Sequence, residues 1–151
     1  MLENRIPPPI VAAFFGILMW LSSLALPSTE ISDELRFTVS IGVLVLGVIF
    51  CVAGVLSFRM AKTTVNPLQP EKATSLVDTG IYKITRNPMY FGFALFLLAW
   101  SVFLSAPVAV IGVVVFVLFM NRFQIGPEEK ALTKIFGEEF ETYQTRVRRW
   151  L

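Results

Sequence analysis

The feature that most constrains this chain is a set of long stretches without a charged side chain. Residues 9–26, 37–58 and 88–121 contain no Asp, Glu, Lys or Arg, and hydrophobic residues make up 55% of the 151-residue sequence. An apolar helix of about 17–25 residues spans the hydrocarbon core of a bilayer, whereas soluble domains are only about 45–50% apolar. The sequence therefore predicts an all-α integral membrane protein.

The third apolar stretch predicts a helical hairpin. Residues 88–121 are too long for one ordinary span, and the sequence LSAP interrupts them at 104–107. Proline disfavours a helix interior, so we expect two short helices in a tight hairpin and about four transmembrane helices in all. Because more spans follow the first, we do not expect that segment to be a cleaved signal peptide. The single predicted domain divides into two N-terminal spans, a cytosolic loop, the hairpin and a cytosolic amphipathic tail, at residues 1–58, 59–87, 88–121 and 122–151.

The loop charges predict the orientation. Residues 27–36 hold three acids and one arginine, whereas residues 59–87 hold five Lys or Arg against two acids, and six basic residues follow from Arg122 onward. Cytoplasmic loops of membrane proteins are enriched in Lys and Arg. We therefore expect both termini in the cytoplasm and the protein in the inner or plasma membrane, in contact with membrane lipids. The net charge of +2 gives no reason to expect a nucleic-acid partner, and the sequence leaves the oligomeric state open.

The tail has the pattern of an amphipathic helix at a membrane surface. We expect Gly137 to divide this helix in two, and we interpret Arg146, Arg148 and Arg149 as contacts to lipid headgroups. The apolar residues recur at spacings of three and four: Leu132, Phe136, Phe140, Tyr143, Val147 and Trp150.

Composition restricts the chemistry. The chain has no histidine, and its one cysteine, Cys51, lies inside an apolar stretch. Histidine-based zinc sites, a histidine general base and a disulfide framework are therefore excluded. We expect no metal.

A polar segment, GIYKITRNPMYFG at residues 80–92, precedes the hairpin. Its residues have ordinary explanations, such as Arg86 as a membrane anchor and Asn87 as a helix cap. However, Glu128 and Glu129 of the tail lie at the same predicted membrane boundary, where ionisable groups are unfavourable unless they are used or paired. A guanidinium, carboxylates and aromatic faces at one place suit a ligand that carries an adenine, an amino acid and a sulfonium.

Two segments, LVDTGIYKITRNPMYFG and GPEEKALTKIFGEEFETYQTRVRRW, resemble the isoprenylcysteine carboxyl methyltransferase family and its bacterial relatives, which overlap the phospholipid methyltransferase-like group. The resemblance covers residues 63–151 and includes Gly-x-Tyr, Arg-x-Pro-x-Tyr-x-Gly, a helical hairpin and Glu-Glu-x-x-Leu. It implies an integral membrane enzyme that uses S-adenosylmethionine and takes a lipophilic small molecule or lipid as its substrate. Its motifs make Arg86, Asn87, Pro88, Tyr90, Glu128 and Glu129 the candidate site residues. From the chemistry of methyl transfer we expect Arg86 and Glu129 to act in catalysis. We expect the cofactor to be bound by Tyr82, Asn87, Pro88, Tyr90, Glu128 and Glu129.

The resemblance leaves the methyl acceptor open. A carboxylate, as in an isoprenylcysteine-type compound, is the expected acceptor because it needs no base. Many members of the family have histidine where this chain has Asn87, and an amide does not titrate near neutral pH. The alternatives are N-methylation of an ethanolamine phospholipid and a non-catalytic membrane protein that keeps the fold. A sterol reductase, which has a similar C-terminal signature, needs a larger helical bundle.

Overall fold

The structure, a computed structural model, describes residues 6–61 and 74–151. A 3₁₀ turn at Gly80–Lys83 precedes the helix that begins at Pro88, and a π-helical turn at Asn121–Ile125 joins the helix that ends at Met120 to the one that begins at Gly126. The described residues form helices, turns and loops without any strand, which confirms the all-α class. The α-helices of this part of the chain are α1 (Pro8–Ala25), α2 (Asp33–Met60), α3 (Pro88–Phe103), α4 (Ala109–Met120), α5 (Gly126–Phe136) and α6 (Glu138–Arg146).

Three helical segments are long and apolar enough to cross a bilayer: Pro8–Ala25, Asp33–Met60 and Ala109–Phe136. The last of these is continuous, because the π-helical turn and α5 extend α4 without a break. Helix α3 is apolar but has only 16 residues. The predicted membrane helical bundle is confirmed, while the count of four crossings stays a prediction.

The predicted hairpin is present. Helices α3 and α4 are separated by residues 104–108, where Ser105 adopts a left-handed φ of 51°. The carbonyl of Ser105 accepts a hydrogen bond of 2.7 Å from the backbone N–H of Thr29, which ties the loop between α1 and α2 to the hairpin turn. The hairpin and α1 share a core around the buried side chains of Met19, Phe116 and Met120.

Helices α2 and α3 approach closely at two glycines. A Cβ on Gly92 would lie 2.7 Å from the carbonyl oxygen of Gly47, and a Cβ on Gly47 would lie 2.6 Å from the ring of Phe96. Small residues let two backbones approach where lipid supplies no hydrophobic driving force. This contact fixes the start of α3 against α2.

The tail folds back over the loop before α3. As predicted, Gly137 divides the tail helix: α5 ends at Phe136, Gly137 has a φ of 52°, and α6 starts at Glu138. The apolar face of α6 packs Phe140 and Tyr143 against Val77 and Tyr82 of the loop in a small second core. The two sequence segments that carry the candidate residues therefore lie together.

Candidate functional site

The end of the chain is hydrogen-bonded to the start of α3. We call residues 147–150 the C-terminal strap. The side chains of Thr85 and Asn87 both donate to the carbonyl of Arg149, from Oγ1 at 3.2 Å and from Nδ2 at 2.9 Å. Asn87 does occupy the N-cap position of α3, but its side chain makes no capping bond, because its amide binds the strap instead.

Arg86 connects three parts of the tail. Its backbone N–H donates to the carbonyl of Arg148 at 3.0 Å. Its Nη1 donates to the carbonyls of Val147 at 2.6 Å and Gln144 at 3.1 Å, and its Nη2 donates to Oε1 of Glu129 at 2.7 Å. The Arg86 side chain is only 12% exposed. These contacts hold the strap, the end of α6 and the start of α5 around one guanidinium.

Glu129 lies between two guanidiniums. Its Oε1 accepts from Arg86 and also from Nε of Arg149 at 3.1 Å, and its Oε2 accepts from Nη2 of Arg149. The Glu129 side chain is 14% exposed and that of Arg149 is 38% exposed. Two guanidiniums and one carboxylate leave one positive charge in excess. The two residues that we expect to act in catalysis, Arg86 and Glu129, thus form a direct ion pair.

Glu128 has a different environment from its neighbour. Its Oε1 accepts from the hydroxyl of Tyr90 at 2.5 Å and from Nε2 of Gln124 at 2.7 Å. Both of these donors are neutral side chains. One of the two adjacent acids is therefore held by guanidiniums, and the other by a phenol and an amide.

Tyr82 is part of the second core. Its ring packs edge-on against Phe58 with a centroid distance of 5.4 Å, and its carbonyl accepts a hydrogen bond of 2.7 Å from the hydroxyl of Tyr143. Burial raises the pKa of both phenols, Tyr82 and Tyr143, well above the ordinary tyrosine value. Both hydroxyls therefore stay protonated over the physiological pH range.

The structure thus separates the predicted site residues into two groups. Tyr82 and Pro88 are buried in the packing at the start of α3, with Pro88 as its first residue. The other predicted residues meet the tail or its helices through polar side-chain atoms, and we call them the polar cluster. They are Arg86, Asn87, Tyr90, Glu128 and Glu129.

Sequence reasoning missed three residues around the polar cluster. Gln124 and Asn121 lie on the π-helical turn, and such turns often occur at functional sites. Asn121 Oδ1 accepts from Nε1 of Trp150 at 3.0 Å and from Nη1 of Arg149 at 3.4 Å. Nothing in the spacing of the residues indicates a π-helical turn. Arg149, which we interpreted as a lipid-headgroup contact, is instead ion-paired with Glu129, because the strap turns it toward α5.

The fold and the cluster define a class of protein. This is a small helical membrane protein whose polar cluster lies where the C-terminal tail covers the start of an apolar hairpin. Comparison with known proteins then gives the family: residues 35–139 match the phospholipid methyltransferase family. Since this match covers more than half of the chain, the protein belongs to that family.

Individual relatives agree with this assignment. Protein-S-isoprenylcysteine O-methyltransferase B of Arabidopsis thaliana is 31% identical over 106 residues, which cover 69% of this chain and 53% of that protein. Methanethiol S-methyltransferase of Pseudomonas deceptionensis is 36% identical over 91 residues, which cover 57% of this chain and 32% of that protein. An uncharacterized protein of Haemophilus influenzae is 46% identical over 63 residues, 42% of this chain and all of that protein.

The predicted resemblance to the isoprenylcysteine methyltransferase family is confirmed, and so is the assignment to a membrane protein. The chain spans about half the length of the plant relative and about a third of the methanethiol enzyme. No solved structure matches the chain significantly.

Proposed function

We propose that this protein is an S-adenosylmethionine-dependent membrane methyltransferase that acts on a lipophilic substrate. The observation that supports this proposal most directly is the pair of acids Glu128 and Glu129, each with its own set of donors, where the strap meets the start of α3. Family membership supplies the reaction class. The bias of Lys and Arg toward residues 59–87 and the tail favours a site on the cytoplasmic side, with both termini there.

The charged, polar and aromatic side chains of the polar cluster suit the functional groups of S-adenosylmethionine. A carboxylate such as Glu128 or Glu129 suits its ammonium or ribose hydroxyls, a guanidinium suits its carboxylate, and the ring of Tyr90 suits its adenine or sulfonium. The amide of Asn87 can accept or donate a further hydrogen bond. When bound, this cofactor supplies an electrophilic methyl group on a positively charged sulfur.

In this proposal Arg86 and Glu129 act as one unit. Arg86 is nearly buried and holds both Glu129 and the strap, so it fixes the geometry of the groups around the ligand. An acceptor carboxylate needs no base, and the chain has no histidine that could serve as one. The residues therefore promote methyl transfer by orienting the reactants and by excluding water.

An apolar crevice of about 500 Å³ supports a lipophilic acceptor. It lies between α1 and α3, and its α3 wall begins at Phe93, one helical turn after Tyr90. A hydrocarbon chain in this crevice would extend from the polar cluster into the membrane. We propose a carboxylate on such a chain, as in an isoprenylcysteine-type compound, as the methyl acceptor. The other large side chains that line the crevice are Ile17, Trp20, Phe96, Leu97 and Trp100.

A second candidate is N-methylation of an ethanolamine phospholipid, which the description of the matching family favours. An amine must lose a proton before or during the transfer. Glu128, whose hydrogen-bond donors are both neutral, is the group of this cluster that would accept it.

The test is methyl transfer by the purified protein in detergent from radiolabelled S-adenosylmethionine to a farnesylated cysteine derivative and to phosphatidylethanolamine. We expect a methyl ester, which base hydrolyses, from the first acceptor. A base-stable N-methyl product would support the second candidate. We expect Glu128→Gln to reduce turnover by at least about tenfold, as for the loss of one charge-assisted hydrogen bond.

The control is Glu141→Gln, which removes an exposed carboxylate from α6 and should leave turnover unchanged. Calorimetry with S-adenosylmethionine measures binding separately from transfer. The absence of both heat and labelled product would exclude the proposed enzyme and favour a non-catalytic protein.

A further inference from the structure

We propose that Arg149 is a ligand-binding residue of this site and that its guanidinium binds a carboxylate, either that of the cofactor or that of the methyl acceptor. The inference rests on the proposed function and adds a residue that we interpreted from the sequence as a lipid-headgroup contact. It follows from a difference between the two arginines that share Glu129.

Arg86 is held mainly by the protein. Its Nη1 donates to two backbone carbonyls, its Nη2 donates to Glu129, and its side chain is 12% exposed. Its Nε is buried without a hydrogen-bond partner among the described residues. An incoming carboxylate would compete with these contacts and would meet little exposed surface on this guanidinium. Arg86 is therefore a positioning residue.

Arg149 is more accessible, because 38% of its side chain is exposed. It directs Nε and Nη2 to Glu129, and its Nη1 makes a long bond of 3.4 Å to Oδ1 of Asn121. A guanidinium has five N–H donors and binds a carboxylate best through two of them at once. The edge formed by Nη1 and Nη2 can therefore bind a second carboxylate while the edge formed by Nε and Nη2 stays on Glu129.

Electrostatics favour the same ligand group. Arg86, Arg149 and Glu129 together carry one excess positive charge. A ligand carboxylate would neutralise this charge, whereas a ligand ammonium would add to it. Glu128, with neutral donors, is the better partner for a cationic group. The ammonium of an amino-acid moiety would thus bind at Glu128 of α5, and its carboxylate at Arg149, which is ion-paired with the adjacent Glu129.

The backbone of Arg149 is already fixed for this role. Its carbonyl accepts from Thr85 and Asn87, and the next residue, Trp150, donates its indole N–H to Asn121. A binding residue that is held in place before the ligand arrives loses less conformational freedom on binding. The strap therefore presents Arg149 from a rigid support, although it lies two residues from the end of the sequence.

The test compares ligands with and without a carboxylate. Binding is measured by calorimetry in detergent for S-adenosylmethionine against its decarboxylated form, and for a farnesylated cysteine derivative against its carboxamide. We expect Arg149→Gln to weaken the carboxylate member of one pair by about tenfold to a hundredfold, as for the loss of a charge-assisted contact. The member without a carboxylate should change by less than about twofold on the same scale.

Two further variants refine the comparison. Arg149→Lys keeps the charge but loses the fork, so it should restore only part of the affinity for the carboxylate ligand. Arg146→Gln removes a tail arginine whose side chain is 62% exposed and whose ion pair with Asp78 is 3.7 Å long, and it should match the wild type. The ligand pair that responds identifies the source of the carboxylate.

The outcomes separate the two proposals. If Arg149→Gln weakens both members of each pair equally, or neither of them, Arg149 does not bind a carboxylate and the inference is wrong. If the wild type does not bind S-adenosylmethionine but distinguishes the farnesylated acid from its carboxamide through Arg149, the cofactor proposal fails and the inference stands. If the wild type binds none of the four ligands, both are wrong.

Discussion

At the scale of single residues, the Arg86 side chain donates hydrogen bonds to three partners, and its removal would break all of these bonds. Arg86→Met would leave two backbone carbonyls without their donor and Glu129 with one guanidinium instead of two. Removing one partner of a buried ion pair destabilises a protein by about 3–5 kcal/mol. We expect a fall of this size in the free energy of unfolding in detergent and faster tryptic cleavage within the strap, with expression and membrane insertion retained.

The matched control for this variant is Lys134→Met, because Lys134 is an exposed basic residue of α5. It should have the free energy of unfolding of the wild type, and trypsin should cleave its strap at the wild-type rate. An Arg86→Met protein with normal unfolding and a protected strap would show that the contacts of Arg86 contribute little to the closed arrangement.

Asn87 shows how far a local pattern predicts a side chain. Its place before Pro88 correctly predicts the N-cap position of α3. The sequence could not predict that its amide would bind the carbonyl of Arg149, because that partner lies 62 residues away and is positioned by the fold of the tail. The same limit applies to Glu128 and Glu129: adjacent residues point about 100° apart around a helix and meet different elements.

At the scale of elements, the contact between α2 and α3 depends on the absence of side chains at Gly47 and Gly92. We expect Gly92→Ala to push the two helices apart and to lower the free energy of unfolding by about 1–3 kcal/mol, the usual effect of overpacking. Thermal unfolding in detergent measures this change. Gly42→Ala is the control, since a Cβ on Gly42 meets nothing within 4 Å.

Gly92→Ala should also weaken ligand binding, because α3 carries Asn87 and Tyr90 at its start. If both glycine variants unfold at the wild-type temperature, the close approach does not limit stability.

The helix boundaries could be predicted because they follow simple signals. The uncharged stretches and the prolines at their ends place α1, α2 and α3 within a few residues of the observed bounds. The exception is the end of α4, where the sequence predicts that a separate tail begins at Arg122. The backbone remains helical through Asn121 and Arg122, so that α4 continues into α5.

At the scale of the whole molecule, the charge distribution predicts the orientation in the membrane, and labelling can test it. In a Cys51→Ala background, Ser28→Cys should react with a membrane-impermeant maleimide on intact cells, because residues 27–36 are predicted outside. Glu139→Cys on α6 should react only after the cells are permeabilised. Both positions are exposed in the structure. The reverse pattern would contradict the predicted orientation.

The arrangement of the tail was only partly predictable. The amphipathic spacing predicts which face of α6 is buried, and Phe140 and Tyr143 are indeed buried. The same spacing continues through Val147 and Trp150 of the strap, but the helix ends at Arg146, so the spacing does not predict how the strap folds. Its position depends on hydrogen bonds from Thr85, Arg86 and Asn87 to its backbone carbonyls, which any sequence could accept. A pattern of side chains therefore cannot indicate them.

The unbroken helix from Ala109 to Phe136 carries Glu128 and Glu129 near its C-terminal end, so a change in the tilt of this helix would move both side chains. Val113 and Glu129 lie 16 positions apart on it, which is about 24 Å at the rise of an α-helix. A change in tilt of about 5° would move Glu129 by about 2 Å relative to a pivot at Val113, enough to lengthen a hydrogen bond beyond its normal range. Since helices tilt to match the local hydrocarbon depth, we expect a change in bilayer thickness to alter the spacing between the two glutamates and the start of α3.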